Sequence, residues 1–200
     1  DSDWYKGTAD AIYQNLIHLR RRRAEQVLVL SGDHVYKMDY NVLYDFHIAR
    51  GAACTVAVTE VSEESAHSFG ILETNGDGRV IGFQEKPRQA RSRLASMGVY
   101  LFDRASLIRW LTEDAAIAES AHDFGKDVLP RLVARGEAVF AYRFPDYWQD
   151  VGTLDHLHGG IRRGRVRDQL RGGRRPDPLG QCVGLYDVMR AHDHGARRGD

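Results

Sequence analysis

Residues 27–40, VLVLSGDHVYKMDY, restrict the fold more than any other stretch of the chain. Val27 to Leu30 form an unbroken apolar run, which reads as a strand buried in a sheet rather than lying on its surface. Ser31 and Gly32 break the run, and Asp33 follows just past the carboxyl end of that strand. In open α/β sheets ligands bind beyond that edge, so a carboxylate there is placed to hold a metal ion beside a phosphate. Aspartate also caps turns. Taken alone, the stretch fits either role.

The rest of the pattern supports a layered α/β protein. Apolar residues at Ala9, Ile12, Tyr13, Leu16 and Ile17 keep helical spacing and predict a helix over 8–19. Arg20 to Arg23 complement its negative end; this basic run reads as a solvated helix end rather than a nucleic-acid patch. Further helices are expected over 41–50, 105–111 and 124–135, the first stopped by Gly51 and the last by Gly136. Strands are expected over 54–61, 94–102 and 138–144, with a hairpin of 70–73 and 79–84 around Asn75-Gly76-Asp77-Gly78. Strands alternating with helices argue for an α/β sheet with crossover connections.

Composition narrows the classes further. With 42% apolar and 28% charged residues the chain has the balance of an ordinary globular domain. No run approaches the roughly 18 apolar residues of a membrane span, and no leader is seen, so a cytoplasmic setting without membrane or nucleic-acid partners is expected. Cys54 and Cys182 suggest neither a disulfide framework nor a structural zinc site, and Cys54 reads as a buried small hydrophobe. The net charge of zero hides a break: residues 1–155 carry 18 Lys and Arg against 23 Asp and Glu, whereas 156–200 carry 10 Arg, 5 Asp and 9 Gly. We expect a domain boundary just after Asp155, with an Arg/Gly-rich tail that is disordered or out of frame. His156, His158, His192, His194 and Cys182 fit no zinc template.

Four more stretches carry possible chemistry. Trp4 to Ala11 sets a small-residue turn at a helix start, where backbone amides can meet an anion or a base edge. Gly82 to Pro87 ends a strand with Glu85 and Lys86, one suited to sugar hydroxyls and the other to a phosphate. Ala95 to Gly98 offers Ser96 near a strand head. Tyr147 to Thr153 contains a second strand ending in a carboxylate, Asp150. Asp33 and Asp150 could share one divalent cation if their strands lie close. Asp123 reads at least equally well as the cap of the helix beginning near Phe124, and His34 and His122 as hydrogen-bonded structural histidines. No Ser/His or Cys/His nucleophile arrangement is present.

In order, WYKGTADAIYQN, SGDHVYKMDY, HSFGIL, GFQEKP, LASMGVYLF, SAHDFGKDVLP and YWQDVGTLD resemble the ADP-glucose pyrophosphorylase family, the glucose-1-phosphate adenylyltransferases of bacterial glycogen synthesis, over 1–155. The resemblance implies a partial Rossmann-like nucleotidyltransferase fold with a mostly parallel mixed sheet. It also implies ATP and glucose 1-phosphate as substrates, Mg²⁺ as cofactor, and a homotetramer for the intact protein. By position it assigns Tyr5, Gly70, Glu85, Lys86 and Ser96 to glucose 1-phosphate, with Lys86 on the phosphate and Glu85 on the hydroxyls. Gly7, Thr8 and Ala9 match the nucleotide-binding segment, Asp33 the catalytic aspartate and Asp150 the second Mg²⁺ ligand. Sugar-nucleotide pyrophosphorylases using UTP, dTTP or GTP share the GD and EKP elements but generally lack HDFGKD. A catalytically silent sugar-phosphate-binding subunit is the alternative from another class, and the presence of Asp33, Lys86 and Asp150 argues against it.

Two departures from the family follow. The GGxGTRL-type phosphate loop and the C-terminal β-helix are not in the 200 residues, so the chain alone is expected to be inactive. Residues 156–200 read as the product of a frame shift in a GC-rich gene, which resequencing would test.

Overall fold

The computed structural model describes residues 4–21 and 23–150. The boundary placed after Asp155 and the Arg/Gly-rich tail of 156–200, with its histidines and Cys182, lie outside the described residues.

The apolar runs become a six-stranded sheet. Its long central strand β6 (Leu94–Asp103) pairs along one edge with β3 (Cys54–Glu60). The other edge is shared: β4 (Gly70–Thr74) takes the start of β6 and β1 (Gln26–Val29) its end, with Val29 opposite Tyr100. β5 (Val80–Glu85) extends the sheet beyond β4, and β7 (Val139–Arg143) extends it beyond β3. Among the described residues β3–β7 is the only parallel pair, because β6 runs against every strand it touches and β4 and β5 form an antiparallel hairpin. The expected parallel majority therefore holds for strand direction, shared by β1, β3, β4 and β7, and not for neighbouring pairs.

Alternation along β6 divides the core. Leu94 and Phe102 face one layer, made by α1 (Thr8–Tyr13), α2 (Leu16–Arg21), α4 (Arg104–Ala115) and α5 (Leu129–Ala134). Met97, Val99 and Leu101 face the other, under α3 (Tyr40–Ala49). Cys54 to Val58 are buried on both faces, as a strand between two layers requires. Cys54 is indeed a buried, free cysteine.

The helix expected over 8–19 is broken into α1 and α2. Buried Asn15 turns its side-chain amide onto the Ala11 carbonyl at 2.9 Å and the Tyr5 hydroxyl at 3.2 Å, while its own N–H closes onto Ile12. Side chains that bond the local backbone compete with helix propagation in this way. The helix expected over 124–135 opens instead as a π-helical turn, Phe124–Val128, before α5. The strand expected to end at Asp150 is β8 (Trp148–Asp150); not foreseen are the short β2 (His34–Tyr36) and the two-stranded ribbon it forms with β8. No helix among the described residues is long and apolar enough to cross a membrane.

Candidate active site

That ribbon brings the two strand-end carboxylates together. β2 and β8 pair antiparallel with His34 opposite Asp150 and Tyr36 opposite Trp148. Ligand atoms of Asp33, His34 and Asp150 consequently lie within 4.8 Å of one another. The Trp148 ring meets the His34 ring edge-on at 5.1 Å and the Phe69 ring at 5.4 Å, clamping the ribbon to the start of β4. His34 Nε2 stands 3.4 Å from Asp33 Oδ1. The Ser31 hydroxyl donates to Asp33 and, helped by His34, holds its carboxyl below the usual range against a modest burial penalty. Asp33 is thus an exposed, ionised acceptor, the form a hard cation requires.

Two carboxylates and a histidine fit a divalent ion, and the carboxylates fit Mg²⁺ in particular, which is bound through one or two such groups with the rest of its shell left to water and phosphate. His34 Nδ1 and Trp148 Nε1 are buried at this junction without a hydrogen-bond partner among the described residues, so the site has polar capacity that the protein itself does not use.

Asp150 and His34 stand at one side of a cleft of about 350 Å³. A second part of the lining is made by Gly70, Glu85, Lys86, Ser96 and Tyr100. Lys86 follows β5 directly, with φ of 45°, a left-handed conformation that non-glycine residues adopt at a cost. Its N–H donates to the Phe69 carbonyl at 3.1 Å, which ties the turn to the start of β4. Burial pushes the Glu85 carboxyl up, and the neighbouring Asp123 charge adds to the rise.

The third wall depends on residues 120–128. Asp123 caps the π-helical turn, its Oδ1 accepting from Gly125 N and Lys126 N at 2.9 and 3.0 Å, as the capping alternative had it. The Thr8 hydroxyl donates to Asp123 Oδ2 and accepts from Phe124 N, both at 3.0 Å. The His122 carbonyl accepts from Ala9 N and Asp10 N, so two amides that the sequence offers to an anion are already satisfied within the protein. Gly7 is needed for this docking, since a Cβ there would sit 2.4 Å from the His122 carbonyl oxygen. Of the expected nucleotide segment Thr8 alone lines the cleft, while Ala9 is buried in the core. Tyr5 is held outside the cleft lining by Asn15. His122 is the structural histidine expected: its Nδ1 lies 2.8 Å from Asp114 Oδ2.

Residues 2–163 match the nucleotidyl transferase family. The chain belongs to that family. Within this nucleotidyl transferase family it is similar to the glucose-1-phosphate adenylyltransferase of Thermotoga neapolitana, with 52% identity over 155 residues, covering 77% of this chain and 37% of that protein. It is also similar to the enzymes of that name from Desulforamulus reducens, 48% identical over 78% of this chain and 39% of the relative, and Bacillus mycoides, 51% identical over 77% and 41%. The chain therefore spans about two-fifths of the length of the curated relatives it matches.

Proposed function

We propose that this chain carries the sugar-phosphate and cation sites of a glucose-1-phosphate adenylyltransferase, which forms ADP-glucose and pyrophosphate from ATP and glucose 1-phosphate in glycogen synthesis. The observation that carries the reading is the β2–β8 pairing, which sets Asp33 beside Asp150, itself part of the lining of a cleft that Glu85 and Lys86 also line. Relatives near 50% identity that bear this name support the choice of nucleotide and sugar.

In this reading Lys86 meets the phosphate of glucose 1-phosphate as a point charge. Glu85 accepts from glucose hydroxyls, Ser96 and Gly70 complete the glucose 1-phosphate lining with Tyr5 assigned to the same substrate, and of the Gly7–Thr8–Ala9 segment assigned to the nucleotide Thr8 is the residue that reaches the cleft. A phosphate oxygen of glucose 1-phosphate attacks the α-phosphorus of ATP; the bond from that phosphorus to the β-phosphate bridge oxygen breaks, and pyrophosphate leaves with the electron pair. Asp33 and Asp150 hold the Mg²⁺, which when bound neutralises charge on the α-phosphate and the leaving group. No covalent intermediate is needed, so the residues act by positioning and charge.

The test is turnover in the full-length protein. Asp33→Asn and Asp150→Asn should each lower kcat by at least about a hundredfold, the scale of losing one electrostatic stabiliser. Lys86→Ala should chiefly raise KM for glucose 1-phosphate. Preference for UTP over ATP in the unaltered protein, or full activity in Asp33→Asn, would overturn the reading.

A further inference from the structure

Two carboxylates converge on one glycine of the π-helical turn. A Cβ at Gly125 would lie 2.6 Å from Glu85 Oε2, 3.1 Å from Glu85 Cδ and 3.4 Å from Asp123 Oδ1. On the far side, Gly70 stands opposite Glu85 in the β4–β5 ladder, and a Cβ there would lie 3.0 Å from the same Oε2. The Glu85 carboxylate therefore occupies a slot between two backbones, neither of which projects a side chain. Among the described residues no hydrogen bond reaches that carboxylate, so close packing against the two glycines and the charges of Lys86, Lys126 and Asp123 fix its position.

Gly125 is not among the glycines with positive φ, so its backbone conformation does not require glycine. In a helical turn glycine costs about 0.5–1 kcal/mol relative to alanine. What the residue contributes is space. Its N–H also fixes Asp123, another acceptor in the lining of the cleft.

We propose that Gly125 sets the sugar selectivity of the cleft, by leaving the slot that pins the Glu85 carboxylate where only correctly oriented hydroxyls can reach it. The proposal rests on the reading of Glu85 as the hydroxyl acceptor. A carboxylate accepts and cannot donate. A sugar with one inverted hydroxyl leaves this half-buried acceptor unpaired, and sites built to bind a hydroxyl discriminate strongly for that reason. A methyl at position 125 forces the carboxylate aside and blunts the discrimination.

The experiment compares full-length wild type, Gly125→Ala, Glu85→Asp, Glu85→Ala and the Gly125→Ala/Glu85→Asp pair, with glucose 1-phosphate and its C4 epimer galactose 1-phosphate at saturating ATP. Gly125→Ala should raise KM for glucose 1-phosphate about tenfold with kcat changed less than about threefold, and narrow the preference for glucose over galactose by about tenfold. Glu85→Asp withdraws the carboxylate from the slot, so adding Gly125→Ala to it should alter KM less than about twofold. That pair carries no clash and reports even where Gly125→Ala alone does not melt cooperatively. An unchanged KM and preference in Gly125→Ala, or a further tenfold rise in the pair, overturns the role of Gly125 while leaving that of Glu85 standing. A KM unmoved by Glu85→Ala overturns the reading of Glu85 and this inference with it.

Discussion

Asp114 is the residue on which the third wall of the cleft depends, although it does not line the cleft. It is 2% exposed and accepts from Ser120 Oγ at 2.8 Å and Arg131 Nη1 at 2.9 Å, with His122 Nδ1 at 2.8 Å. Burial opposes its ionisation, yet the bonds from His122, Arg131 and Ser120 prevail and hold its carboxyl below the usual range. His122, at φ 54°, then presents its carbonyl to α1 and so seats Thr8 against Asp123. Asp114→Ala leaves the Arg131 guanidinium without its counter-charge and His122 Nδ1 without its hydrogen-bond partner; a loss of about 3–5 kcal/mol is expected, read as a shift of the urea midpoint. His47 adds a pH dependence of its own. Burial pushes its pKa down to about 4, against a weaker opposing pull from Asp103, while its Nδ1 sits 2.8 Å from the Thr55 hydroxyl. An unfolded histidine takes up its proton near 6.5. Between those values the unfolded chain binds the extra proton, so the His47 contribution is whole above 6.5, falls by about 1.4 kcal/mol per pH unit down to about 4, and falls no further below. Stability curves of wild type and His47→Gln should diverge in slope over that window alone; parallel curves would remove His47 as the cause.

At the scale of elements, the β2–β8 ribbon brings two distant carboxylates close together, and it is the element least legible in the sequence. His34 to Tyr36 number three residues, too few for period-two alternation to register. Asp33 and Asp150 were each readable as strand-end carboxylates, but their approach depends on a pairing across more than a hundred residues of chain, which spacing does not encode. The long buried strands were readable within a residue or two, because burial on both faces demands continuous apolar runs. α1 and α2 were not, since Asn15 breaks the helix through contacts with Tyr5 and Ala11 that hydrophobic periodicity ignores. Gly125 left no local signal, because its reason lies in Glu85, forty residues earlier. Trp148 tests the ribbon as a unit. Removing its ring deletes the edge contacts with His34 and Phe69 that hold β8 against the sheet, each worth about 0.5–1.5 kcal/mol. Trp148→Ala should weaken Mn²⁺ binding, followed by water proton relaxation, by at least about fivefold while the main sheet still unfolds cooperatively. Unchanged Mn²⁺ affinity would show that β2 and the sheet hold the carboxylates without β8.

Across the whole molecule, β6 couples stability to the site. Leu94, Tyr100 and Phe102 pack the helical layer and Met97, Val99 and Leu101 pack under α3, so one strand serves both halves of the core. At its head Ser96 lines the cleft, and Gly98, at φ 66°, lets the backbone pass His34, where a Cβ would come within 3.2 Å of the ring. At its end Phe102 is fully buried, with ring contacts to Trp110 at 6.3 Å and Phe124 at 5.5 Å. Phe124 belongs to the turn that caps on Asp123 and bonds Thr8, so the core beneath Phe102 is continuous with the third wall of the cleft. Phe102→Ala is expected to cost about 3–5 kcal/mol, the range for emptying a buried aromatic site. A fall of that size consumes a large part of the 5–15 kcal/mol typical of a domain. The loss should not be uniform. With the ring gone, the Phe124 turn loses a direct ring contact, while Val56 and Ala141 are still held by the pairing of β3 with β7 and β6, so amide exchange should quicken first at Gly125 and Lys126 and later at Val56 and Ala141. As a control, Val42→Ala, at a side chain on α3 in a residue 50% exposed, should shift stability by no more than about 0.5 kcal/mol. Equal acceleration at all four amides in Phe102→Ala would mean that the cleft wall and the sheet open together, as a single cooperative unit.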